Sequence, residues 1–239
     1  VKRDVIANMR AELGLRHHRV RYGHSVRLIN QLLRMIYCER KLDMGEQFLS
    51  HTITDESYIQ LGKNARTCFV KNRKDAVHAA PKHVPKVLVW AGISVRGPCP
   101  LKILKGKDSI VDSIGYQRIL QECYVNWSRD TFGPSAILVQ DWAPAHSSRS
   151  TRLYMERSGI QVEDWPPESA DLSPIETVWA LLKRWLWNHW KPKSIDHLID
   201  GIHHWWDNHL SQDLCIRLIE RMQYKMREIL NNKGRPCPD

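Results

Sequence analysis

A chain of 239 residues, 42% hydrophobic and 26% charged, has the size and composition of one large globular domain or a domain with a short appendage. Its longest apolar run, VLVWAGISV from Val87 to Val95, falls far short of the roughly 20 residues of a membrane-spanning helix, and the opening VKRDVIANMR has no apolar signal core, so a soluble, non-secreted protein without a membrane partner is expected. Lys and Arg outnumber Asp and Glu by 36 to 26, which makes a polyanion the natural partner, while six scattered cysteines without CxxC and twelve histidines without HExxH leave no recognisable zinc module or disulfide framework.

In chain order, VIANMRAELGL comes first, with Val5, Ile6, Met9 and Leu13 on one helical face and Gly14 as a stop. No acidic residue occurs between Glu12 and Glu39, whereas Arg16, Arg19, Arg21, Arg27 and Arg34 occur with His17, His18 and His24. That is a basic arm suited to phosphate contact, or else a solvated linker. From Phe48 the period changes. FLSHTITDESYIQL reads as a strand carrying Asp55, RTCFV (66–70) and KVLVWAGISV (86–95) as further strands, and PLKIL (100–104) as a short return strand, together an antiparallel meander.

GYQRILQECYVNW (115–127) then turns helical, with Ile119, Leu120, Cys123 and Trp127 sharing a face. AILVQD (136–141) is a continuous apolar run ending in a carboxylate, as a buried parallel strand would. A helix over SRSTRLYMERSG, a strand in GIQVEDW and a loop in PPESADLS follow. Three helices close the chain: one from Pro174, one capped by Ser194 and one capped by Ser211. Their tryptophans, Trp179, Trp185, Trp205 and Trp206, fit core packing better than base stacking. The order gives an α/β fold, a mixed sheet flanked by helices.

Three carboxylates stand at telling places: Asp55 on the first strand, Asp141 at the end of the apolar strand, and Glu176 in the first turn of a helix. Strand ends and helix starts converge on the crevice where α/β folds bind ligands. Acids gathered there repel one another unless a cation neutralises them. An all-oxygen donor set suits Mg²⁺ or Mn²⁺, and two such ions support in-line phosphoryl transfer. Each residue also has a plainer reading. Asp55 would serve a strand-end turn, Asp141 would cap the following helix, and Glu176 would close a capping box with Ser173 behind Pro174.

TDES, VWAGIS, ILVQDWAPAH and WPPESADLSPIETVWALLKR resemble the successive signatures of the Tc/mariner transposases, and the thirty-four residues between Asp141 and Glu176 match the Tc-like spacing. The resemblance runs from about Leu13 to about Pro236. It implies an RNase H-like domain with a five-stranded mixed sheet over 31–239, extra C-terminal helices, and the end of a helix-turn-helix region plus basic linker over 1–30. It further implies that Asp55, Asp141 and Glu176 form an acidic triad holding two Mg²⁺ or Mn²⁺ ions. The implied reaction is cut-and-paste transposition: hydrolysis at the ends of the element, then attack of the freed 3′-hydroxyl on duplex DNA at a TA dinucleotide, in the nucleus. Arg16, Arg19, Arg21, Arg27, Lys71, Arg73 and Lys74 would hold phosphates, and paired cutting of two ends implies a homodimer.

Departures from the family pattern are Trp142 where Asn usually follows the second Asp, Ala170 where Pro usually precedes Asp171, and a helix-turn-helix region reduced to its last helix. Trp142 would crowd the metal site or turn into the core. His146 is expected to be a buried or capping histidine, Asp171 to shape its loop, and Glu56 to point away from Asp55 by strand alternation. The rival readings are a decayed or domesticated copy that binds DNA without catalysis, and a ribonuclease or integrase on the same fold.

Overall fold

The computed structural model describes residues 25–62 and 84–237, with the isolated positions 5, 12 and 13. The strand expected in RTCFV and all but three residues of the expected N-terminal helix lie outside the described residues. Helix α1 spans Leu28–Asp43 and β1 spans His51–Gln60. Next come β2 (Lys86–Ser94), β3 (Gly97–Pro98) and β4 (Lys102–Leu104). A long helical stretch follows: α2 (Ser113–Ile119), a π-turn (Leu120–Val125) and α3 (Asn126–Phe132). Then β5 (Ile137–Val139), α4 (Pro144–Ser147), α5 (Arg149–Arg157) and β6 (Gln161–Val162) lead to α6 (Pro174–Trp185). Helices α7 (Ile195–Asn208) and α8 (Gln212–Asn231) complete the chain. No helix among the described residues is long and apolar enough to cross a membrane.

The sheet is mixed, in the order β3-β2-β1-β5-β6, with β4 also pairing β2. Among the described residues it has six strands in five positions, because the outer partner of β2 is split into two short pieces. β1 and β2 are antiparallel, with Asp55 opposite Ala91, whereas β1 and β5 are parallel, with Ile53 opposite Val139. Alternation then sorts the side chains. Ile53, Ile59, Val87, Val89, Ala91 and Ile93 face a core closed by α1, α6, α7 and α8. Trp90 and Leu138 face a smaller core containing Tyr116, Ile119, Leu120, Tyr124 and Met155. Gly92 sits where a Cβ would come within 2.8 Å of Thr54 Cγ2 and 3.0 Å of Thr52 Cγ2 and Cys99 Sγ, so the side chains packed around it leave room for glycine.

Ser194 and Ser211 each accept the expected capping hydrogen bond, and Ser148 accepts one at the start of α5 as well. Trp179, Trp205 and Trp206 are core residues as expected, while Trp185 is only half-buried and stacks on His189, Trp190 and His204. The five described cysteines are free and buried; Cys68 lies outside the described residues.

Helix α1 departs from the expected basic arm and runs across residue 30. Its buried face carries Asn30, Arg34, Tyr37, Cys38 and Lys41, and its exposed face carries Leu28, Ile29, Leu32, Leu33 and Ile36. One polar cluster beneath it fastens α1 to the sheet: Lys41 Nζ and His51 Nε2 lie 2.9 Å and 3.0 Å from the same Glu163 oxygen. Burial would raise the Glu163 pKa, but hydrogen bonds from His51 and Lys41 outweigh it and hold the value at about 2. Because the folded pKa lies below the unfolded one, this cluster stabilises the fold above the unfolded value and loses that contribution as pH falls through the folded one. Chemical unfolding followed between pH 7 and pH 2 is expected to show a loss of about 3 kcal/mol from this group, mostly below about pH 5, and Glu163→Gln should remove that component.

Candidate active site

The parallel pairing of β1 and β5 ends at Ile53 opposite Val139, with Asp55 two residues further along β1 and Asp141 two residues beyond the end of β5. Thr54 Oγ1 donates to the Val139 carbonyl at 2.8 Å, so a side chain takes the last acceptor of the short β5 ladder before the chain turns towards α4. Facing this edge, α6 begins with Ser173 in extended conformation and Pro174 in the first helical position; Ser173 makes no side-chain capping bond. Glu176, Trp179 and Lys183 recur at i, i+3 and i+7 on one face of α6. That face meets β1: Trp179 Nε1 donates to Asp55 Oδ2 at 2.9 Å, and Lys183 Nζ donates to Ser57 Oγ at 2.8 Å. A cavity of about 420 Å³ is lined by Asp55, Asp141 and the exposed Glu176, with Arg27, Trp142 and Glu168 also on its wall.

Burial, and after it the charges of Glu176 and Glu56, raise the Asp55 pKa to about 7, against a smaller opposing effect of the Trp179 hydrogen bond. Burial lowers the Lys183 pKa, while Glu176 and Asp55 pull it back upwards. Asp141 behaves in the opposite way to Asp55. Its Oδ1 accepts from the Ala143 amide at 2.9 Å and lies 2.7 Å from His146 Nδ1. Burial would raise its pKa, but these bonds and the His146 charge lower it. Burial of His146 would lower the imidazole, yet its bonds to Asp141 and Glu56 lift it to about 10.

The three expected carboxylates therefore share one cavity. Among the described residues they are not drawn into a closed group of metal-ligating side chains. The charge of Glu176 acts on Asp55, while Asp141 is paired with His146. Asp171 shapes its loop as expected. Its carboxylate takes both ends of the Arg34 guanidinium at 2.7 Å, and Arg34 also reaches the Glu168 carbonyl, Ser169 Oγ and the Gly234 carbonyl.

This corrects one expectation: Arg34 is fully buried in an ion pair and cannot offer its charge to phosphate as part of a basic arm. Arg27 is exposed at the cavity wall, where its backbone amide and Nε both donate to Glu168, at 2.9 Å and 2.8 Å. Arg16, Arg19, Arg21, Lys71, Arg73 and Lys74 lie outside the described residues. Trp142 is not in the core. The residue is 55% exposed and lines the cavity wall, and its Nε1 donates to the Trp165 carbonyl at 2.6 Å.

Sequence reasoning missed Trp179 and Lys183, which helical spacing from Glu176 would have found. It also missed the full role of His146. That histidine is buried as expected, but Glu56 Oε1 lies 3.1 Å from its Nε2, so it bridges two acids instead of capping a helix.

Residues 51–199 match the family described as DDE superfamily endonuclease. The chain belongs to this family. Within it the Tc/mariner resemblance holds. The Tcb2 transposase of Caenorhabditis briggsae is 25% identical over 233 residues, covering 94% of this chain and 84% of that protein. The Tc1 transposase of Caenorhabditis elegans is 24% identical over 213 residues, covering 86% and 76%. The Mos1 mariner paired-end complex with Mn superposes with a TM-score of 0.82 at 19% identity, covering 98% of this chain and 72% of that one. The DDE endonuclease fold here is thus the RNase H-like mixed sheet flanked by helices that the resemblance implied.

In this DDE endonuclease the Arg34–Asp171 pair holds the loop that delivers Glu176. Removing one partner leaves the other charge buried and unpaired. Arg34→Ala is expected to lower stability by about 3–5 kcal/mol in urea unfolding, and a loss below about 1 kcal/mol would show that the pair is dispensable.

Proposed function

We propose that this chain is the catalytic portion of a Tc-like DNA transposase, in which Asp55, Asp141 and Glu176 hold divalent metal, two Mg²⁺ or Mn²⁺ ions, for phosphodiester hydrolysis and strand transfer on double-stranded DNA. The observation that carries this reading is a single cavity lined by three acids, one from β1, one from just past β5 and one from the first turn of α6. The donor set fits the metal. It is all oxygen, and Asp55 is a buried carboxylate whose pKa burial and the charges of Glu176 and Glu56 raise.

The ions supply Lewis acidity that activates a water or hydroxyl and stabilises the departing oxygen of an in-line displacement. The protein's own groups orient the reaction. Trp179 holds Asp55 by one oxygen, Ala143 and His146 hold Asp141 by one oxygen, and the first turn of α6 sets Glu176. Arg27, exposed on the same wall, is placed to take a phosphate in exchange for Glu168. Hydrolysis at the ends of the element and attack of the 3′-hydroxyl at a TA dinucleotide are the two steps this reading assigns. No covalent enzyme intermediate is needed for either.

Mos1, the fold neighbour, is described in a paired-end complex with Mn. By analogy this chain is proposed to act as a homodimer on two element ends, in the nucleus, with Arg16, Arg19, Arg21, Lys71, Arg73 and Lys74 as further phosphate contacts.

The purified chain is expected to nick duplex DNA only when Mg²⁺ or Mn²⁺ is present, with duplex DNA cut in preference to an RNA–DNA hybrid. Asp141→Ala should give no product. Equal nicking by the variant, or nicking in EDTA, would overturn the assignment.

A further inference from the structure

We propose that Glu56 and His146 form a positioning relay that fixes one oxygen of Asp141 and so reserves the other for the divalent cation. The proposal rests on the metal-site reading above and concerns two residues outside the acidic triad.

His146 follows Asp141 by five positions on the four-residue helix α4 and is 4% exposed. Its Nδ1 lies 2.7 Å from Asp141 Oδ1 and 3.4 Å from the Asp141 carbonyl, while its Nε2 lies 3.1 Å from Glu56 Oε1. Both side-chain partners are carboxylates, which accept only, so each ring nitrogen donates. The ring plane is held by Tyr116, stacked at a centroid distance of 3.9 Å, whose hydroxyl donates to Gln140 Oε1 at 2.6 Å. The imidazole is thus fixed in position, in plane and in donor pattern.

The contact pattern on Asp141 is one-sided. Ala143 N–H and His146 Nδ1 both address Oδ1. A carboxylate pinned by one oxygen keeps the lone pairs of the other for a ligand in the cavity that Asp141 lines. Glu56 completes the device from the neighbouring strand, since it follows Asp55 on β1 and points to the opposite face. The strand that carries the first aspartate therefore also steers the second. Outer partners of this kind are worth about 10–100-fold in metal affinity when removed.

The test uses the full chain with Mn²⁺ alone as the probe, titrated by electron paramagnetic resonance, alongside nicking of duplex DNA at rising Mn²⁺. His146→Ala and Glu56→Ala are expected to weaken Mn²⁺ binding about 10–100-fold, with nicking restored by excess Mn²⁺. Glu56→Gln, whose amide oxygen still accepts from Nε2, should bind nearly as the parent chain does. If His146→Ala fails to fold, the Glu56→Ala and Glu56→Gln pair decides alone. Asp141→Ala separates the two hypotheses. If it binds Mn²⁺ as the parent does, the metal-site reading falls; if it loses Mn²⁺ while Glu56→Ala retains parental affinity, only the relay falls. Equal weakening in Glu56→Gln and Glu56→Ala would also overturn the relay, because the retained acceptor would then count for nothing.

Discussion

The buried pair of Arg34 and Asp171 is the constraint on which the site depends. A guanidinium taken fully out of water is tolerated only if its donors are matched, and here they are met by both Asp171 oxygens, two main-chain carbonyls and a serine hydroxyl. Asp171 is in turn bound by the Cys237 amide, and Lys225 on α8 donates to its carbonyl. Four separate parts of the chain meet at that point: α1, the loop before α6, α8, and the C-terminal segment. Gly234 shows how tight the meeting is, since a Cβ there would lie 2.2 Å from the Gln31 carbonyl oxygen. The loop cannot shift without breaking several bonds at once, and the start of α6 is fixed with it.

From this anchor the acids are arranged in two different ways. Asp55 is placed by the sheet and steadied by an indole from α6, in surroundings that disfavour its charge. Asp141 is placed by the end of a three-residue strand and steadied by an imidazole that favours its charge. Two carboxylates of one site are therefore held in opposite electrostatic conditions.

Much of this was legible in the sequence, and the failures have physical causes. The strands with β-branched or apolar runs and the helices with serine caps follow from local periodicity and capping chemistry; Asp141 and Glu176 stood out as strand-end and helix-start acids, while grouping them with Asp55, which lies inside β1, came from the family resemblance. Helix α1 was not legible, because its polarity is inverted: the residues that look solvated are buried and those that look like core are exposed. The partner of Arg34 stands 137 positions away, and no local pattern names it. Ser173 begins α6 as its neighbours suggest, yet no capping bond forms through its hydroxyl, so sequence identified the helix start without the interaction expected to make it.

Adjacent acids on β1 serve opposite faces of the sheet, Asp55 meeting Trp179 and Glu56 meeting His146. A slip of this strand by one residue would exchange them, since side-chain direction repeats every two residues. The site would keep its total charge and lose its geometry, with a longer acid pressed against the indole and a shorter one out of reach of the imidazole. On the function proposed for the cavity, the doublet makes the pairing frame of the sheet itself a condition of chemistry, so that a misregistered chain would be compact and acidic at its centre and yet inert.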